Sequence, residues 1–85
     1  MKTRDAALTV RIISPFETHY DGPAVSVSAL NETGPFDILQ DHSNFFSVLQ
    51  PGTVSVDTGG NVREFSIERG IIKVSVNTVT LFADV

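Results

Sequence analysis

The stretch GIIKVSVNTVTLFAD, residues 70–84, decides the fold class of this chain. Apolar and polar residues alternate along it on both sides of a turn signal at Asn77-Thr78. The apolar positions are Ile72, Val74 and Val76 before the turn and Val79, Leu81 and Ala83 after it. A period of two is typical of a strand with one buried face and one solvated face. The stretch therefore predicts two strands of an antiparallel sheet.

The same alternation recurs in four other segments of the chain. Their apolar positions are Leu8, Val10 and Ile12; Val25, Val27 and Ala29; Val54 and Val56; and Phe65 and Ile67. Turn signals separate most segments by 8–12 residues, and they include Asp21-Gly22, Asn31 to Gly34 and Pro51-Gly52. Valine, isoleucine and threonine, which favour strands, supply 25 of the 85 residues. We predict an all-β fold, an antiparallel β-sandwich or flattened barrel.

Two stretches depart from the pattern. Ser14-Pro15-Phe16 should end the first strand, because proline cannot donate a hydrogen bond to a sheet ladder. The segment from His42 to Leu49 fits a helical turn as well as a strand, and we interpret it as extended.

Length and composition narrow the classes of function. Eighty-five residues suit one domain, residues 1–85, and 41% hydrophobic content argues against disorder. The chain has no cysteine, which excludes disulfides and thiolate metal sites. Its net charge of -4 and its scattered basic residues argue against nucleic-acid binding. No apolar run approaches the ~18 residues of a membrane span, and no signal peptide is evident.

The sequence contains no motif of a common active site: a phosphate loop, a G-x-S-x-G elbow and an H-E-x-x-H helix are all missing. A metal site from His19 and His42, completed by Asp37 or Asp41, would need sequence neighbours to converge on one atom. A Ser43, His42 and Asp41 triad fails for the same reason. We therefore expect no catalytic residue, no metal and no cofactor. Three aromatic residues in the least strand-like region fill either the core or a partner interface: Phe36, Phe45 and Phe46.

An ordered set of motifs runs from about Leu8 to Asp84. Its centre is GPFDILQDH at residues 34–42, followed by Phe45, Phe46, Leu49 and Pro51-Gly52. Its start is LTVRIISP at residues 8–15 with Tyr20-Asp21-Gly22, and its end is GIIKV at residues 70–74 with Asn77 and VTLFAD at residues 79–84. This set resembles the N-terminal β-sandwich domain of the F-type ATP synthase epsilon subunit.

The resemblance implies about ten strands and a place in the central stalk of a rotary motor. It implies a non-catalytic subunit that couples the gamma subunit to the membrane c-ring during ion-driven ATP synthesis. Such a subunit lies peripherally on the cytoplasmic face of an energy-transducing membrane, without inserting into lipid. The alternative is a free-standing β-sandwich that binds another protein, because fold alone does not fix function.

The resemblance also nominates interface residues. Those expected at gamma are Ser14, His42, Phe45, Phe46 and Ser47, and those expected at the c-ring are Asn31, Glu32, Pro35 and Asp37. Gln40 stands where the family usually has proline, so this loop should be less rigid than the motif predicts. Most relatives continue into a helical hairpin, which in some members binds ATP. This sequence ends at Val85, so it is either a naturally short form or an isolated domain, and in both cases we expect no nucleotide binding and no hairpin-type inhibition by this chain.

Overall fold

The fold was analysed in a computed structural model that describes residues 8–40 and 44–84. Within these residues every regular element is a strand, which confirms the all-β prediction. The strands are β1 (Leu8–Ile13), β2 (Thr18–Ala24), β3 (Ser26–Asn31), β4 (Gly34–Leu39), β5 (Phe45–Leu49), β6 (Gly52–Asp57), β7 (Val62–Ile67), β8 (Arg69–Ser75) and β9 (Thr78–Asp84).

The strands form one sheet in the order β2-β1-β9-β8-β5-β3-β6-β7, and β4 pairs with β3 outside this path. All pairings are antiparallel except that of β1 with β9, which is parallel. The first and last described strands are therefore neighbours in the middle of one half of the sheet.

A corner between β5 and β6 lets the sheet curl around its core. β3 pairs with β6 through Ser26 to Ser28 and with the end of β5 through Asn31, opposite Leu49. The backbone N–H of Gln50 donates to the carbonyl of Leu30 at 2.8 Å. β3 thus pairs with both β5 and β6, while β5 also pairs with β8. β3 therefore joins the two halves of the sheet, and a strand that does so makes the corner of a sandwich.

The core contains most of the apolar positions that the alternation predicts, although Val25 and Phe65 are only half-buried and Val76 is exposed. Buried side chains come from every strand. They are Leu8, Val10, Ile12, Ala24, Val27, Ala29, Ile38, Leu49, Val54, Val56, Ile67, Ile72, Val74, Val79, Leu81 and Ala83. Among the described residues no polar or charged side chain is buried, so the core rests on apolar burial.

Aromatic side chains close the two open sides of the curled sheet. On one side Tyr20 of β2 meets Phe65 of β7 edge to face, with ring centroids 6.4 Å apart, and Arg63 lies 5.6 Å from each ring centroid. On the other side Phe36 of β4 and Phe45 of β5 are 5.4 Å apart. These contacts join strands that share no ladder, since β2 and β7 are the two ends of the sheet order.

Two sequence predictions are wrong, one from a turn signal and one from the alternation. Asp21-Gly22 lies inside β2, because the chain has already reversed at Ser14 to Glu17. Val76 does not continue the buried face of β8, but sits with Asn77 in the turn before β9 and is 81% exposed. The ambiguous segment is a strand from Phe45 onward, as predicted, and its first part lies outside the described residues.

Candidate partner-binding face

Four neighbouring strands each carry a pair of consecutive apolar residues. The pairs are Ile12-Ile13, Val48-Leu49, Ile71-Ile72 and Leu81-Phe82. Successive side chains in a strand point to opposite faces, so only one member of each pair can enter the core. The buried members are Ile12, Leu49, Ile72 and Leu81. The other members therefore lie on the outer face.

The register of the sheet brings these outward side chains into one line. Ile13 pairs with Phe82, Phe82 pairs with Ile71, and Ile71 pairs with Val48. We call this set of four residues the apolar row. Because neighbouring strands lie about 4.8 Å apart, the row is roughly 14 Å long. Val48 is 59% exposed, Phe82 49% and Ile71 40%.

The apolar row forms the floor of an open groove of about 590 Å³. Ser14 and Pro15, from the turn between β1 and β2, also line it. Phe16 follows in the same turn and is 95% exposed. A contiguous apolar surface with exposed aromatic side chains is typical of a protein-binding site.

Charged side chains flank the apolar row. Arg69 donates from Nε to Asp84 at 3.1 Å, and both residues line the groove. On the other flank Lys73 lies opposite Phe46 of β5 and Thr80 of β9. Charges at the rim of an apolar patch mainly fix the orientation and the on-rate of a partner.

The structure separates the residues that were expected to contact gamma. Ser14 lines the groove, and Phe46 projects from β5 with 65% of its side chain exposed. Phe45 instead turns inward to Phe36, and Ser47 accepts a hydrogen bond from the Asn31 side chain at 3.2 Å. His42 lies outside the described residues.

The residues expected at the c-ring cluster around the turn between β3 and β4. Asn31 organises this turn, since its Oδ1 accepts from the backbone N–H of Thr33 at 2.9 Å and from its hydroxyl at 2.7 Å. Glu32 and Pro35 are exposed. Asp37 is also exposed and accepts a 2.6 Å hydrogen bond from Ser28. The Asn31–Ser47 bond links this turn to β5, which carries one end of the apolar row.

Sequence reasoning missed the four members of the apolar row, although a signal was present. Alternation alone assigns one apolar residue to every second position, and each pair of consecutive apolar residues breaks that rule. A pair in one strand carries little information. Four pairs in strands that become neighbours indicate a second apolar face, but the strand order is needed to see it.

Within residues 8–40 and 44–84 no three His, Cys, Asp or Glu side chains are grouped to hold a metal ion. The same residues contain no helix long and apolar enough to cross a membrane. The chemistry that the outer face offers is apolar contact with a charged rim.

Comparison with solved structures identifies the same fold in ATP synthases. A chain of the Euglena gracilis mitochondrial ATP synthase superposes with a TM-score of 0.85, at 19% identity, over 96% of this chain and 53% of that one. A chain from the Tetrahymena thermophila mitochondrial ATP synthase central stalk and c-ring gives a TM-score of 0.79 at 18% identity, over 98% of this chain and 67% of that one.

Sequence comparison gives the family. The ATP synthase epsilon chain of Ruthia magnifica is 35% identical over 79 residues, which cover 93% of this chain and 57% of the relative. That of Leptospira borgpetersenii is 32% identical over 91% of this chain and 61% of the relative. This chain thus spans about three-fifths of the length of these curated relatives. Residues 7–85 match the family described as the ATP synthase delta/epsilon chain beta-sandwich domain, and the chain belongs to that family.

Proposed function

We propose that this chain is a non-catalytic rotor subunit of an F-type ATP synthase. In this role it binds gamma and the c-ring in the central stalk, and it transmits rotation between them during ATP synthesis. It would work at the membrane surface as a peripheral subunit, with residues 1–85 acting as one domain. Epsilon-chain relatives and the central-stalk fold support this assignment.

The observation that carries the proposal is the apolar row on an otherwise regular sheet. A structural subunit needs a surface that loses water when a partner binds, and it needs no cleft for a substrate. Fully burying a side chain such as Val, Ile or Phe contributes about 1.5–3 kcal/mol. The four members of the row are already about half-buried, so each would contribute a part of this value to gamma binding, with Ser14, Phe46 and Lys73 beside them.

We assign the c-ring contact to the turn between β3 and β4. Glu32 in this turn and Asp37 farther along β4 give this part of the surface a negative charge, which suits a basic loop of a c-subunit. Each exposed ion pair contributes only about 0–1 kcal/mol, so the turn should orient the ring more than hold it. The bond from Asn31 to Ser47 would connect the two contacts rigidly.

Gamma binding tests the proposal directly. Changing Phe82 or Val48 to Ser on the apolar row should weaken the affinity for purified gamma at least 30-fold, as loss of about 2 kcal/mol at a hot spot does. The measurement is titration calorimetry, with circular dichroism to show that each variant is folded.

Val62→Ser is the matched control. Val62 is 58% exposed, nearly as much as Val48, but it lies on β7 at the end of the sheet order. This variant should bind gamma like the unmodified chain. If Phe82→Ser and Val48→Ser bind as tightly as Val62→Ser, the row is not the gamma site. If the folded unmodified chain does not bind gamma at all, the alternative of a free-standing binding module replaces the proposal.

A further inference from the structure

A second line of side chains runs beside the apolar row on the outer face of the sheet. Lys73 of β8 pairs with Thr80 of β9, Thr80 with Arg11 of β1, and Arg11 with Asp21 of β2. We call these four residues the charged row. Lys73, Thr80 and Arg11 each lie two residues along their strand from a member of the apolar row, so they point to the same face. Two residues of a strand span about 6.8 Å, which is the approximate spacing of the two rows.

The charged row carries one positive charge that no described residue offsets. Nε of Arg11 lies 3.7 Å from Oδ2 of Asp21, so these two charges largely compensate each other. Lys73 is exposed, and within residues 8–40 and 44–84 no carboxylate forms an ion pair with it. The flank of the apolar row that faces the charged row is therefore positive.

The opposite flank of the apolar row is neutral. Nε of Arg69 lies 3.1 Å from Oδ2 of Asp84, and both residues line the groove. Both flanks thus contain a cation beside apolar side chains, but only the cation at Lys73 lacks a carboxylate partner among the described residues. This difference gives the apolar row a direction along which a partner can be oriented.

A hollow next to Lys73 has room for a side chain of a partner. It has a volume of about 300 Å³, and Phe46 and Ser75 line it together with Lys73. The hollow presents an ammonium group, an exposed aromatic ring and a hydroxyl group. An ammonium group forms its strongest hydrogen bonds with a carboxylate, and the ring suits an apolar stem, so the hollow fits a glutamate or aspartate side chain.

The overall charge of the chain does not determine which partner charge this flank accepts. The net charge is -4, which by itself would favour a basic partner. Charges farther apart than the Debye length of about 8 Å at physiological ionic strength are largely screened. For a partner that already covers the apolar row, the nearby charge of Lys73 therefore has the larger effect, and it favours an acidic group.

We propose that Lys73 is a specificity-determining residue, which binds an acidic side chain of the segment that covers the apolar row. The inference rests on the proposed function, in which that segment belongs to gamma. A segment laid on the row in the reverse direction would bring its carboxylate to Arg69, which Asp84 already neutralises. Lys73 thus selects one of two orientations that apolar contact alone does not distinguish.

The test measures the rate constants of association with purified gamma and of dissociation from it. In about 0.05 M salt, where screening is weak, Lys73→Gln should slow association about two- to fivefold, and Lys73→Glu should slow it roughly tenfold. The dissociation rate should change less, because a charge at the rim acts mainly on association. In about 1 M salt, where the Debye length is ~3 Å, the variants should associate at nearly the same rate as the unmodified chain.

Ser66→Glu is the matched control. It lowers the net charge by the same amount as Lys73→Gln, but Ser66 is exposed on β7 at the end of the sheet order. It should associate with gamma like the unmodified chain. Circular dichroism shows whether each variant is folded.

The outcomes separate this inference from the proposed function. If Lys73→Gln associates as fast as Ser66→Glu in low salt, Lys73 binds no acidic group of gamma and the inference is wrong. Faster association of Lys73→Glu would also overturn it, since gamma would then present a basic flank. In both cases loss of binding in Phe82→Ser would leave the proposed function in place. If the folded unmodified chain does not bind gamma, the proposed function and the role of Lys73 are both overturned.

Discussion

Val76 occupies a backbone conformation that side chains branched at Cβ rarely adopt. Its φ is 45°, and Asn77 follows with a φ of 60°. Two successive residues with positive φ make the type I′ turn of a two-residue hairpin, which favours Asn-Gly. Asn77 suits its position, but Val76 is strained and exposed, and no packing compensates for the strain.

Replacing Val76 by Asn should stabilise the protein by about 1 kcal/mol, because asparagine tolerates the left-handed region better than valine. Urea denaturation monitored by circular dichroism measures the change. Thr78→Asn, at the exposed first position of β9, is the control and should not raise the stability. A Val76→Asn variant no more stable than the unmodified chain would show that the turn relaxes around valine.

Burial of individual residues could largely be predicted from the sequence, and Val76 shows where the prediction fails. The alternation correctly selected Ile72 and Val74, because a strand forces every second side chain inward. It extended that series to Val76, because an apolar residue in a turn looks the same in sequence as one in a strand. The strained turn becomes visible only from backbone angles.

The packing of β8 against β9 depends on Gly70. A Cβ atom at this position would lie 2.8 Å from the Phe82 carbonyl oxygen and 3.2 Å from the Ala83 Cβ. The nearest obstacle is backbone in the partner strand, which cannot rotate away as a side chain can. Gly70 therefore permits the close approach of these two strands.

Gly70→Ala should destabilise the fold by about 1–3 kcal/mol, the usual cost of overpacking. Gly60→Ala is the matched control, since a Cβ there would meet no atom within 4 Å, and its stability should change little. Thermal unfolding followed by circular dichroism compares the two variants. Equal melting temperatures would mean that β8 and β9 can separate without loss of core packing.

The strands were more predictable than the connections between them. Alternation predicts most strands correctly. The residue types of Asp21-Gly22 favour a turn, and the turn they predict is absent because both residues lie in β2. The chain reverses earlier, where Ser14 bonds to Glu17, and β2 then runs through Asp21 and Gly22 paired with Arg11 and Val10. Ile12 pairs with Tyr20 but Ile13 pairs with Thr18, which makes a β-bulge at His19, and such a bulge depends on the register of two strands, which no single segment encodes.

At the scale of the whole molecule, the curled sheet is closed by side chains where backbone bonds are missing. Tyr20 and Phe65 bridge the two terminal strands of the sheet, and Arg63 contacts both rings. The apolar row lies on the half of the sheet formed by β1, β9, β8 and β5. The contact between the Tyr20 and Phe65 rings therefore holds β2 and β7 together, although these two strands share no ladder.

Arg63→Ala should reduce the free energy of unfolding by about 0.5–1 kcal/mol, the usual range for an exposed cation–π contact. It should also speed amide hydrogen exchange in β2 and β7 more than in β8 and β9. Arg69→Ala removes an exposed arginine from the groove rim and serves as the control, with no selective effect on β2 and β7. If Arg63→Ala changes the exchange rates of β2 and β7 no more than those of β8 and β9, the Tyr20–Phe65 pair closes the sheet without help from Arg63.

The overall architecture was accessible from the sequence, and the apolar row was not. Alternation and turn spacing indicate a sandwich, and the motifs around residues 34–52 indicate the family. The apolar row forms only when the strands that carry Ile13, Phe82, Ile71 and Val48 become neighbours. Ile13 and Phe82, which pair in the sheet, lie at opposite ends of the sequence. Such distant pairs depend on the strand order, which turn signals do not specify.

The parallel pairing of β1 with β9 has a mechanical consequence. A force that pulls the start of β1 and the end of β9 apart acts along both strands in opposite directions, so it loads every bond of their ladder at once. An antiparallel hairpin pulled from its open end would instead be peeled one bond at a time. The ladder that joins β1 to β9 should therefore resist shear, and forced unfolding should begin elsewhere in the sheet.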